Sequence, residues 1–130
     1  LIKYLILLIT LSTCVTARLG ETKSECIKRY GKPVNTLQNG KLLVFKVRGW
    51  YISTQFLKTT CDSIVYILPK NSTFSFRAIV DALKKNTSIP IYEFNYFKSN
   101  AWVSKNGEIL LQCTRSKTGS KSILIAKVKK

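Results

Sequence analysis

The chain has 130 residues, 22 Lys and Arg against 6 Asp and Glu, four Cys, and neither His nor Met. This length fits one domain with a real core, and 45% hydrophobic residues exclude a disordered basic tail despite a formal charge of +16. Without His there is no Ser-His-Asp or Cys-His centre, and no imidazole to bind metal or shuttle protons.

In chain order, residues 1–17 read as a signal peptide. Lys3 supplies the positive start, Leu5–Leu11 the apolar stretch, and Val15-Thr16-Ala17 the small and β-branched residues of a cleavage site after Ala17. The apolar stretch is far below the roughly 20 residues that a membrane span needs. Leu11-Ser12-Thr13-Cys14 offers an alternative, a lipoprotein box with Cys14 as the lipidated residue, in which Thr13 stands where Gly, Ala or Ser is the rule. The expected destination is the periplasm or the exterior. Lys3 is the only charge before Arg18, so the mature chain 18–130 holds 21 basic and 6 acidic residues.

Thr22-Lys23-Ser24-Glu25 reads as a capping box, followed by Cys26, Ile27 and Tyr30 on one helical face, with Gly31 and Pro33 as stop signals. Asn39-Gly40 predicts a two-residue hairpin turn, and Arg48-Gly49 a second turn between Lys41–Val47 and Trp50–Leu57. Cys61–Leu68 is a further strand whose alternation puts Cys61, Val65 and Ile67 on one face. Phe76, Ile79, Val80 and Leu83 recur at helical spacing behind the candidate caps Ser72, Thr73 and Ser75. After Pro90, strands are expected at Ile91–Phe97, Ala101–Ser104, Glu108–Arg115 and Lys121–Val128, with Ile109, Leu111 and Cys113 on one face.

The pattern gives an α+β fold in which two short helices pack on one face of an antiparallel sheet. It runs as two repeats of a helix plus three or four strands, about 18–69 and about 70–130.

Three cysteines remain after export, so an oxidising compartment predicts one disulfide and one thiol. The possible pairs are Cys26–Cys61, Cys26–Cys113 and Cys61–Cys113. The first is favoured, because the first helix must lie on the strands that immediately follow it. Three unbonded, buried cysteines are the competing reading.

The opening Arg18-Leu19-Gly20-Glu21-Thr22, Glu25-Cys26-Ile27 and Arg29-Tyr30-Gly31-Lys32-Pro33 resembles small uncharacterised secreted proteins of Verrucomicrobia and related bacteria. Ala101-Trp102-Val103-Ser104-Lys105-Asn106-Gly107 resembles their Trp-containing hairpin, with Asn106 where Asp is common. The opening is also similar to that of SmpA/OmlA-type lipoproteins and of β-lactamase-inhibitor-like domains. The resemblance implies an exported bacterial protein with helices on one face of an antiparallel sheet, and assigns no activity.

The chemistry-bearing residues point away from an enzyme. Glu21, Glu25, Asp62, Asp81, Glu93 and Glu108 form no evident pair, and there is no Ser-x-x-Lys, phosphate-binding glycine loop, Cys-x-x-Cys or clustered oxygen set. No cofactor is implied. The basic excess is the strong signal: Arg115, Lys117, Lys121, Lys127, Lys129 and Lys130 fall in the last 22 residues without an acid, and Lys46 and Arg48 share a strand face. Such a surface suits an anionic envelope surface, glycan or nucleic acid. Lys outnumbers Arg 17 to 5, which an AT-rich genome would also produce without any ligand. The leading expectation is a monomeric, non-enzymatic, exported binding or envelope-accessory domain with no small-molecule substrate. The alternative is a secreted inhibitor of another protein that uses its sheet face; for nucleic acid, Trp50, Tyr51, Tyr96 and Trp102 are the aromatic candidates, with burial in the core as the competing reading. Asn71-Ser72-Thr73 and Asn86-Thr87-Ser88 match the glycosylation sequon, which matters in a eukaryotic protein only.

Overall fold

A computed structural model describes residues 19–47, 49–69, 75–117 and 119–128. The leader, Cys14 and Ala17, and also Arg48, Lys129, Lys130 and the sequon at Asn71, lie outside the described residues.

The first helix, α1 (Lys23–Tyr30), starts as its capping box dictates. The Thr22 hydroxyl accepts from the Glu25 amide and donates to the Glu25 carboxylate at 3.0 Å. Gly31 ends it at φ 87°, a left-handed conformation open to glycine, with its amide on the Ile27 carbonyl. Cys26 is buried, whereas Ile27, expected on the same face, turns out to be exposed.

Four strands follow as a meander: β1 (Asn35–Leu37), β2 (Leu42–Val47), β3 (Trp50–Phe56) and β4 (Cys61–Ile67). The β2–β3 turn is the expected two-residue one, since Val47 pairs directly with Trp50. The β1–β2 connection is longer than predicted. Leu37 pairs with Leu42, and Gln38, Asn39 and Gly40 all take positive φ in a 3-10 turn. Three consecutive left-handed residues occupy more chain than a two-residue turn permits.

A second helix, α2 (Phe76–Asn86), is capped by Ser75, which accepts from the Ala78 amide at 3.0 Å. Its buried residues are Ala82, Leu83 and Asn86, and Phe76 is 71% exposed. At 100° per residue this face is rotated by about 60° from the one that the apolar periodicity indicates. The rotation is set by small Ala82 and polar Asn86, which fit the helix closely onto the sheet. A second meander completes the fold: β5 (Phe94–Lys98), β6 (Ala101–Ser104), β7 (Ile109–Arg115) and β8 (Lys121–Lys127).

All eight strands form one antiparallel sheet in the order β1-β2-β3-β4-β8-β7-β6-β5. Phe45, Ile52, Tyr66 and Ile123 pair in succession across it and therefore share a face. Both helices lie on that face: Tyr30 of α1 packs its ring 5.1 Å from Phe45, and Asn86 of α2 donates to the Tyr66 hydroxyl. The core between the layers includes Leu43, Phe56, Ile64, Leu83, Leu111 and Ile125.

The inward face of β4 differs from the one predicted. Cys61 is buried, but Ile64 and Tyr66 face the core beside it, while Val65 and Ile67 are only half-buried. A β-bulge is the reason. Gln55 pairs with Ser63 and Phe56 with Cys61, so one extra residue reverses the alternation after Cys61.

Candidate binding groove

The two helices diverge over the sheet and leave a groove of about 510 Å³ between them. Its floor is Val47 of β2, Trp50 and Ile52 of β3 and Tyr66 of β4, with Tyr30 of α1 and Ala78 and Ala82 of α2 as apolar walls. Trp50 meets Tyr66 edge-on at 6.2 Å between centroids. Polar groups stand in the walls: Arg29 from α1, and Ser75, Arg77, Asp81 and Lys85 from the α2 side. Arg77, Asp81 and Lys85 are four residues apart, so one helical stripe delivers all three to the same wall. Three cations stand against Asp81 in the wall and Glu21 beneath Arg29, which leaves the groove a positive margin of one charge.

Arg29 is held in place from below. The α1 segment begins with a short antiparallel match to the start of β4: the Gly20 amide donates to the Cys61 carbonyl and the Cys61 amide to the Glu21 carbonyl, both at 2.7 Å. This brings the Glu21 carboxylate under α1, where it is buried and accepts from Nε and Nη2 of Arg29. Arg29 is raised further above its ordinary value, chiefly by that hydrogen bond. The pairing leaves Nη1 as the guanidinium nitrogen not bound to Glu21.

The same strand match sets Cys26 against Cys61. Both are fully buried and lie side by side, Cys26 Sγ donating to Glu21 Oε2 at 3.8 Å and Cys61 Sγ to the Ser63 carbonyl at 3.3 Å. The contact lowers Cys26 against the opposing effect of burial, and raises Cys61, which burial raises further. Cys113, half-buried on β7, is raised by burial. The three described cysteines are unbonded thiols in this structure.

The structure divides the basic residues singled out from sequence. Arg115 and Lys121 are paired neighbours at one end of β7 and β8. Lys117 is exposed in the turn between these strands. Lys127 lies six residues along β8 from Lys121, about 20 Å away at strand rise, where its Nζ approaches Gly20. Lys46 is on the open face of the sheet, with its Nζ 5.6 Å from the Tyr51 ring centroid.

The strand alternation therefore gives no continuous Lys/Arg face. On the open face, Lys46 and Lys98 are the charges among the described residues in regular register, and Leu42, Val44, Val65, Leu110 and Leu124 share it half-buried. Of the aromatic candidates, Trp50 lines the groove, Tyr51 is on the open face, and Tyr96 packs edge-on against Trp102 near the β5 edge.

Sequence reasoning missed the groove residues Arg29, Arg77 and Lys85, and it missed Glu21. The sequon at Asn86 is a further surprise: the side chain is 1% exposed and donates to the Tyr66 hydroxyl and the Ala82 carbonyl. Glycan attachment there would require α2 to leave the sheet. The helical spacing Ile79, Ala82, Leu83, Asn86 carries the signal that could have placed it in the core.

Among the described residues, no group of three or more Cys, Asp and Glu could hold a metal ion, and no helix is long and apolar enough to cross a membrane. Comparison of the chain with protein-family models, curated proteins and solved structures gives no match.

Proposed function

We propose that the protein is an exported, non-enzymatic binding domain for an anionic envelope partner, and that the partner meets the helical side at the groove. One observation carries this reading: Arg29, Arg77 and Lys85 line a single apolar-floored groove, where Asp81 is the one carboxylate in the wall and Glu21 holds Arg29 from beneath. Scattered surface lysines from compositional drift would not need to converge in this way. The dispersal of the acids supports a non-enzymatic role, with Glu21 bound to Arg29, Glu25 in the cap and Glu93 beside Lys105.

The test is sedimentation with phosphatidylglycerol vesicles at low and raised salt. Binding should weaken between about 50 and 200 mM as the Debye length shortens. The Arg77→Glu/Lys85→Glu variant should bind several-fold less than Lys58→Glu/Lys105→Glu, which changes net charge equally outside the groove. Equal loss in the two variants would reduce the signal to net charge.

A second reading, a protein partner at the sheet, is favoured by a different observation. Tyr92, Tyr96 and Phe97 are 74%, 66% and 60% exposed along the β5 edge, where inhibitor-like recognition would use aromatics. A photo-crosslinking residue at position 96 should then trap one discrete protein from envelope extract, and the trapped band should disappear with Phe97→Asp.

Two finer assignments belong to the same reading. The chain is a helix-plus-four-strand unit used twice, which the mirrored sheet order β1-β2-β3-β4-β8-β7-β6-β5 supports. Export also brings Cys26 and Cys61 to an oxidant, and their contact supports a disulfide between them.

A further inference from the structure

The polar and apolar groups of the groove are separated, and their separation describes a ligand. The floor residues Val47, Trp50 and Ile52 offer hydrocarbon and ring surface. The one floor hydroxyl, on Tyr66, already accepts a hydrogen bond of 2.6 Å from Asn86. A sugar or a nucleobase seated there would lose its hydrogen bonds to water and gain few in return. A hydrocarbon body has no such bonds to lose and gains with each methylene taken out of water.

The walls ask for the opposite chemistry. Arg77 and Lys85 stand on the α2 stripe, and Arg29 faces them from α1 with its orientation fixed by Glu21. A guanidinium held in this way loses little further freedom on binding an oxyanion. The volume of about 510 Å³ falls within the range of roughly 300–1,000 Å³ that small-molecule sites occupy.

We propose that the groove binds a single-chain anionic amphiphile, with its acyl or alkyl chain along Val47, Trp50 and Ile52 and its carboxylate or phosphate between Arg29 and Arg77/Lys85. The inference rests on the reading of the groove as the anion-facing site and names the ligand's chemistry, which the sequence did not suggest.

The experiment is a heteronuclear NMR titration of the mature protein with decanoate, decyl phosphate, inorganic phosphate and decanol, each probe kept below its aggregation limit. Decanoate or decyl phosphate should saturably shift the Trp50 indole and the Val47 and Ile52 methyls; which of the two binds tighter identifies the head group. Inorganic phosphate, lacking the chain, and decanol, lacking the charge, should each bind at least about tenfold more weakly, equivalent to 1.4 kcal/mol. Arg77→Glu/Lys85→Glu should weaken decanoate by a similar factor, and Ala78→Phe, which puts a ring into the groove, should abolish the floor shifts.

The wild-type titration decides the matter even where Ala78→Phe fails to fold. Shifts confined to exposed lysines, or equal binding of decanol and decanoate, would overturn the proposal. Vesicle binding with no response to any soluble amphiphile would overturn this inference and leave the anionic partner standing. Failure of both would remove both.

Discussion

Glu21 and Arg29 show how one residue pair can carry both stability and recognition. The Glu21 side chain is 8% exposed and that of Arg29 33%. Removing the guanidinium strands a carboxylate in a place that water reaches poorly. Breaking a fully buried pair costs roughly 3–5 kcal/mol, and the partial exposure of Arg29 brings the expected loss for Arg29→Ala to about 2 kcal/mol. Urea unfolding measures it. Glu21→Gln/Arg29→Met, which removes both charges, should recover most of the loss while still weakening decanoate. Cys113 makes a prediction about pH. Burial raises its thiol, so the unfolded chain releases this proton first, near the ordinary value of about 8.5. Its contribution is intact below that pH and declines as pH rises toward the folded value. Under reducing conditions, stability between pH 7.5 and 9.5 should therefore fall less steeply for Cys113→Ala than for the wild type.

At the scale of elements, the hairpin between β6 and β7 depends on one hydroxyl. Ser104 is buried, and its Oγ accepts from the amides of Glu108 and Ile109 at 3.2 and 3.0 Å and donates to Asn106 Oδ1 at 2.6 Å. Ser104→Ala leaves the Ile109 amide without that acceptor, while the Glu108 amide keeps Asn106 Oδ1 at 3.0 Å, and a loss of about 1–2 kcal/mol in thermal or urea unfolding is expected. Ser104→Thr, which keeps the hydroxyl, should lose less.

Elements of this kind were legible where the determinant is local. The Thr22/Glu25 cap, Gly31 as stop, the Val47–Trp50 turn and the strands from Ala101 onward all follow from neighbours in the chain. The β4 face was not legible, because the bulge at Gln55/Phe56 belongs to the pairing of two strands rather than to either sequence. The same holds for the α2 face, where docking prefers Ala82 and Asn86 to the larger Phe76. The groove was illegible for a further reason: Arg29 and Arg77 are 48 positions apart, and only the placement of both helices on one sheet face makes them neighbours.

For the molecule as a whole, Cys26 and Cys61 tie the helical layer to the sheet. Oxidation would close a loop of about 35 residues and stabilise the fold by roughly 3–4 kcal/mol in the chain-entropy model. Non-reducing peptide mapping of the protein recovered from its native host should find Cys26 joined to Cys61, with Cys113 free to be alkylated on unfolding. The melting temperature should fall on reduction in the wild type and remain unmoved in Cys26→Ala/Cys61→Ala. A Cys61–Cys113 peptide would require a different register from the one described. The sheet order has a consequence in time. The last strand in the chain, β8, lies in the middle of the sheet, where Ile64 meets Ile125 and Leu111 meets the same residue from the other side. As the chain is made from its front end, β4 finishes its own meander but presents an unmated edge. It must wait for more than fifty further residues to emerge. Closure of the sheet is therefore gated by the arrival of β8, and until then the two meanders have no shared strand to join them.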